Sequence, residues 1–295
     1  MEEKMRTNYN VIIIISIILA AAGMVSATAY GSPVGYDGAP PPVGGATPTG
    51  TSYMLTDNYG GSWADAEKTQ ANTEDDLMCW AAAASNVLEW GGWASGAGTG
   101  DADSTFGYFQ DHWTDAGGLM EFGWGWFFDG TNGSAGWEDW SQVDVAGGGF
   151  YPQEDFYGEL FSDNWTSSGW DTAGAMGYID DYLRDGYGTT LAVYSETIGH
   201  AITVWGFNYN PEDTDDYYGI WVTDSDDDKY DATPEDELRY YEVGFDTDKW
   251  FLQDYYGYDD IYIGGVQALA PVPEPATLSL LGIGIVGLLA RRKIQ

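Results

Sequence analysis

The chain has 295 residues, with 47 acidic and 10 basic side chains, a formal net charge of −37 at pH 7 and a single cysteine. Such a charge excludes nucleic acid and anionic membrane as partners of the protein body, and a 16% aromatic content excludes an acidic disordered chain. One cysteine excludes an intrachain disulfide and a multi-cysteine metal site, and leaves a thiol to be accounted for.

At the N-terminus, Lys4 and Arg6 precede an apolar run from Val11 to Met24, followed by Val25-Ser26-Ala27 and Ala27-Thr28-Ala29. A charged segment, an apolar segment and small residues at two cleavage options describe a signal peptide over residues 1–29. The run reaches about 21 Å as a helix, short of a bilayer core of about 30 Å. Residues 30–51 are rich in Gly and Pro and read as a flexible leader. The folded domain is expected from Ser52 to Pro271.

Within it, Asp76 is a candidate N-cap for a helix from Leu77 to Trp90, which Gly91-Gly92 would stop. Residues 91–170 are rich in Gly, Trp and Asp and show no clear periodicity. Asp171 would cap a second helix from Thr172 to Asp185, with Met176, Ile179 and Leu183 on one face. Strand-like runs follow at Thr190–Tyr194, Ala201–Phe207, Gly219–Thr223, Leu238–Val243 and Ile261–Leu269. Segregated helices and sequential strands predict an α+β fold with a mostly antiparallel sheet.

Cys79 falls in the first turn of the first predicted helix, where unpaired N–H groups and the dipole favour a thiolate. Glu74, Asp75 and Asp76 lie just upstream and would oppose it, so a base must dominate. There are two histidines. His112 lies in an aromatic stretch and reads as a packed surface residue. His200 stands at the entry to an apolar strand, and the next strand returns through Thr223 to Asp224-Ser225-Asp226. Asp224 or Asp226 could therefore orient the His200 ring, as a nucleophile–base–acid arrangement requires.

Cys79, Gly199-His200-Ala201 and Thr223-Asp224-Ser225-Asp226 resemble the papain-like clan, and within it the IdeS/Mac cysteine endopeptidases, over about Gly61 to Leu269. The resemblance implies a papain-like fold, with a nucleophile-bearing helix followed by the sheet. It implies a Cys-His-Asp triad of Cys79, His200 and Asp224, with Asp226 as a second acid and Lys68 as an oxyanion donor. It also implies a protein or peptide substrate and no cofactor. Trp80 stands where the family has a glycine, and nothing in residues 91–170 marks antibody as the substrate. A transglutaminase-like acyl transferase would use the same triad.

The tail reads Val272-Pro273-Glu274-Pro275, apolar Ala276 to Ala290, then Arg291-Arg292-Lys293. Residues 272–295 resemble the PEP-CTERM sorting signal, which implies an exosortase-type processing enzyme as partner. They also imply passage through the inner membrane during sorting, by a transient or permanent membrane anchor, and a destination at the cell surface or extracellular matrix. Two further expectations compete with the peptidase. Asp224, Asp226, Asp228 and Glu235 have the spacing of a calcium loop, although Lys229 occupies its glycine position. An acidic, aromatic matrix or surface protein without catalysis is the other.

Overall fold

The computed structural model describes residues 50–58, 62–70, 72, 74–130, 145–152, 154, 156, 165–227, 229, 236–258 and 260–272. The expected signal peptide, residues 30–49 of the leader and the tail from Pro273 lie outside them. Eight strands are formed: β1 Thr51–Met54, β2 Trp165–Ser167, β3 Gly188–Tyr194, β4 Gly199–Asn210, β5 Asp213–Thr223, β6 Arg239–Asp246, β7 Lys249–Leu252 and β8 Tyr262–Leu269. The helices are α1 Leu55–Asn58, α2 Cys79–Trp90, α3 Ala102–His112, α4 Met120–Asp129 and α5 Ala175–Arg184.

Every pairing is antiparallel. Following neighbours gives β4-β3-β8-β7-β6-β5, and β5 pairs back onto β4, so six strands close into a β-barrel. This overturns the expected papain-like α+β fold. The cause is β4. Its first half pairs with β3, its second half takes β1 on the same edge, and its other edge holds β5 from Thr203 to Asn210. A strand paired along both edges cannot end a sheet. Closure is completed by β7, whose Phe251 meets Tyr262 of β8 and whose Leu252 N–H donates to Ile261 O at 2.9 Å. A closed ring leaves no edge within the barrel to recruit other chains.

Side-chain alternation sorts the strands into two faces. Leu191 pairs with Ile202, and Val204 with Val222, all buried on the face opposite the helix. Thr190, Thr203 and Thr223 share the other face. There α2 packs, and its buried Asn86 donates from Nδ2 to the hydroxyls of Thr203 at 3.1 Å and Thr223 at 3.3 Å. Asn86 Oδ1 accepts from Ala66 N–H at 2.7 Å, and Thr223 donates to Ala64 O at 2.9 Å. This buried polar cluster fastens residues 64–68 to both helix and barrel.

Met78 rather than Asp76 sits at the N-cap of α2, and no side chain caps the helix. Asp171 precedes α5 and accepts from Gly174 N–H at 3.1 Å. The aromatic middle contains α3 and α4, which the sequence reading left unassigned. Their Phe109, Trp124, Trp126, Phe127 and Phe128 are fully buried.

Candidate active site

Three elements converge on one cleft. Cys79 is the first residue of α2, His200 lies at the start of β4, and Asp224 follows the end of β5. The β4–β5 register explains the last two. Thr203 pairs with Thr223, and the chain turns just beyond it, which leaves Asp224 and Asp226 beside the start of β4. His200 Nε2 lies 2.6 Å from Asp224 Oδ1, and Nδ1 lies 3.7 Å from Asp226 Oδ2. The Cys79 thiol and the imidazole line the same cleft, close enough for each to act on the other's charge. The His200 side chain is 8% exposed and that of Asp224 0%.

Burial pushes the Cys79 thiol up, but the charge and hydrogen bond of His200, the charge of Lys68 and the Ala201 N–H outweigh it. The thiol ends below its ordinary pKa. For His200, burial pushes down, and the charges of Asp224 and Cys79 and its hydrogen bonds to both carry it well above the ordinary range. Burial likewise raises Asp224, yet His200, the Tyr255 hydroxyl and the Asp226 N–H pull it down to about 2. Together these shifts favour a thiolate–imidazolium–carboxylate chain over its neutral form.

Asp224 is held more tightly than the sequence indicated. Its Oδ2 accepts from Tyr255 Oη and, at 3.2 Å, from Tyr256 Oη. Its Oδ1 also accepts from Asp226 N–H at 3.1 Å. Both tyrosines come from Asp254-Tyr255-Tyr256-Gly257, where Asp254, Tyr256 and Gly257 have φ of 53°, 50° and 79°. Left-handed backbone at two non-glycine residues is strained. Here that turn aims two adjacent rings at one carboxylate.

The acids upstream of Cys79 each have their own surroundings. Asp75 is buried, its pKa raised chiefly by that burial, and it accepts from Gln110 Nε2 at 2.9 Å. Asp76 is ion-paired with Lys229, and Glu74 is exposed. Lys68, 1% exposed, lies 2.8 Å from Asp226 Oδ1 and donates to Asp76 O at 3.1 Å. It does not line the cleft, so it reaches Cys79 by its field and not by a hydrogen bond to a bound substrate. The N–H groups of Cys79 and Trp80, in the first turn of α2, have no acceptor within the helix and are suited to an oxyanion.

The cleft measures about 610 Å³. Leu77, Met120, Tyr194, Ile198, Tyr256 and Tyr258 give it apolar walls, and Gly117-Gly118 form a bare stretch of backbone. Trp80 points inward. Its indole packs against Phe109 and Trp113 and donates to Ala116 O at 2.9 Å. Leu77 N–H donates to Asp115 Oδ1 at 2.6 Å. The residues flanking Cys79 thus hold the 115–118 wall from both sides.

His112 does not line this cleft. It ends α3 with Nδ1 2.8 Å from Tyr108 O and its ring packed against Tyr108 and Trp126. Of the calcium spacing, Asp228 and Glu235 lie outside the described residues and Asp224 is engaged as above. No group of three or more His, Cys, Asp or Glu residues able to hold a metal ion occurs among the described residues. No helix there is long and apolar enough to cross a membrane; the apolar run from Ala276 to Ala290 falls outside them.

Comparison with known proteins bears on the tail. Residues 271–293 match the PEP-CTERM protein-sorting motif. That match marks the chain for export, C-terminal anchoring and sorting at the membrane, and exosortase processing. No curated protein matches the chain, and the IdeS/Mac resemblance has no support from a family match.

Proposed function

We propose that this exported protein is a cysteine endopeptidase acting through Cys79, His200 and Asp224. The observation that carries the reading is His200, whose Nε2 lies 2.6 Å from the buried Asp224 carboxylate and whose ring shares the wall of an open cleft with Cys79. Cys79 Sγ attacks a peptide carbonyl, forming a C–S bond while the carbonyl oxygen takes the electron pair. The N–H groups of the first α2 turn hold that oxyanion. The imidazolium of His200 passes its proton to the leaving amine as the C–N bond breaks, giving a thioester and a neutral ring. Water then attacks the thioester with His200 as base, releasing the acid and restoring the thiolate–imidazolium pair. Asp224 keeps the ring oriented throughout. Lys68 and Asp226 set the local field.

Proteome-derived peptides incubated with wild type and with Cys79→Ala test the reading. Cleavages present only with the wild type are expected. Their absence across the whole mixture would sink the peptidase and favour a non-catalytic matrix protein.

A further inference from the structure

Among the described residues, Trp170 is the most exposed large apolar side chain, at 62%. This indole is built on a fixed support. It follows β2, which pairs with β8. Ser168 then locks onto Val266 twice: its N–H donates to Val266 O at 2.9 Å, and its Oγ accepts from Val266 N–H at 3.0 Å. Beyond it, Thr172 donates to Trp170 O at 3.1 Å and from its hydroxyl to Asp248 O at 2.7 Å. The Trp170 ring centroid lies 5.6 Å from that of Tyr194.

Tyr194 belongs to the cleft and feels the charge of Cys79. Its ring occupies a seat cut by glycines. A Cβ at Gly264 would collide with it, and one at Gly199 would stand 3.0 Å away. The Tyr262 ring lies 6.2 Å from that of Tyr194, with Lys249 Nζ 4.0 Å from the Tyr262 ring centroid. An ordered aromatic surface therefore runs from the nucleophile's cleft out to solvent.

We infer that this strip is an extended subsite for the substrate polypeptide, and the inference rests on the peptidase reading. Side chains on one side of an extended peptide recur about every 6.8 Å, close to the ring spacings of 5.6 and 6.2 Å. A residue seated on Tyr194 near the scissile bond would put the residue two places further on over Trp170 or Tyr262. The occupant is an apolar or aromatic side chain in an uncharged or basic segment, because the net charge of −37 repels acidic peptides. Stacking on a fixed indole contributes enough to be read as a several-fold change in affinity.

The test uses Cys79→Ala protein, which binds without turnover, and two fluorescein-labelled peptides measured by anisotropy. One is a neutral tetrapeptide; the other is a decapeptide extending it on both sides with Phe at alternate positions. The decapeptide is expected to bind several-fold tighter. Adding Trp170→Ala removes most of that gain, and Trp170→Phe retains part of it. No binding of the decapeptide, an equal loss for both peptides, or no loss at all would overturn the inference. So would a soluble neutral polysaccharide that binds more tightly than the decapeptide and depends on Trp170. Failure of the peptidase reading appears separately, as missing Cys79-dependent cleavage.

Discussion

Replacing Asp224 by Asn tests the charge chain at its most buried link. The substitution keeps the side-chain volume and one carbonyl oxygen for the tyrosines but deletes the charge 2.6 Å from His200 Nε2. A hydrogen bond to a charged group contributes roughly 1.5–3 kcal/mol, and about 1.4 kcal/mol is a factor of ten. The equilibrium between the ion pair and the neutral thiol–imidazole pair should therefore shift roughly 10- to 100-fold towards the neutral pair. The sign follows from the shifts. The Cys79 thiol lies below its ordinary pKa and His200 above its own, so the pair exists between those two values. Without Asp224 the ring loses its proton earlier and the thiol holds its proton longer, so the window narrows from both ends. The assay is the second-order rate of iodoacetamide alkylation from pH 4 to 9, followed by intact mass. With one cysteine in the chain, a single adduct reports Cys79. Wild type should react readily at pH 6, Asp224→Asn 10- to 100-fold more slowly, and both should converge near pH 9. His200→Ala should behave like an ordinary thiol. Superimposable profiles for the three proteins would refute the ion pair.

Burial raises Glu89 to about 7, helped by the charges of Asp101, Asp236 and Asp103 against the Ala102 N–H. The folded state therefore holds more protons than the unfolded one between roughly pH 4.5 and 7, and stability falls as pH rises through that window. Glu89→Gln should raise Tm by about 2–4 °C at pH 8, about 1 kcal/mol after discounting for solvent screening, and leave Tm near pH 4.5 unchanged; an equal shift at both would exclude the titration. A Cβ at Gly118 would lie 2.5 Å from the Trp80 ring, so Gly118→Ala should displace the cleft wall and raise KM several-fold more than it lowers kcat. Parallel changes in both constants would contradict that. Tyr255→Phe deletes one donor to Asp224, a loss of roughly 1–3 kcal/mol for a buried acceptor. A depressed carboxylate contributes stability above its unfolded pKa that is lost as pH falls through about 2. Its acid-unfolding midpoint by circular dichroism should therefore move to higher pH, and an unmoved midpoint would show that Tyr256 and the Asp226 N–H suffice.

Much of the candidate site was legible because its chemistry is scarce. One cysteine and two histidines leave few pairings, and the strand after His200 returns to Asp224 within hairpin distance. Tyr255 and Tyr256 were not legible, since two among 22 tyrosines carry no signal of rarity. The only hint was Asp254-Tyr255-Tyr256-Gly257, and a left-handed turn at Tyr256 contradicts that residue's own backbone preference. Helix α4 was hidden for a related reason. It is apolar on nearly every face, Met120-Glu121-Phe122-Gly123-Trp124-Gly125-Trp126, so no amphipathic period marks it. The resemblance made Lys68 an oxyanion donor; in the structure its ammonium lies 2.8 Å from Asp226 Oδ1 and donates to the Asp76 carbonyl.

The fold was misread where the information is least local. Each of the five strand runs seen in the sequence overlaps a strand of the barrel, but runs of strands do not state whether the first and last neighbours meet. Closure depends on β7, four residues with a single registered partner on β8, and on β4 holding partners along both edges. Neither leaves a periodic trace. The proposed chemistry survives this correction because it never depended on the layers behind it. It requires a helix start at Cys79, and a β4–β5 pairing that returns the chain to Asp224 and Asp226 beside His200. Both hold in a barrel. A constellation of this kind is defined by distances and proton positions, whatever scaffold supplies them. Here the β3–β8 pairing contributes, since β8 brings Gly264 beneath Tyr194 and thereby sets the outer wall of the cleft.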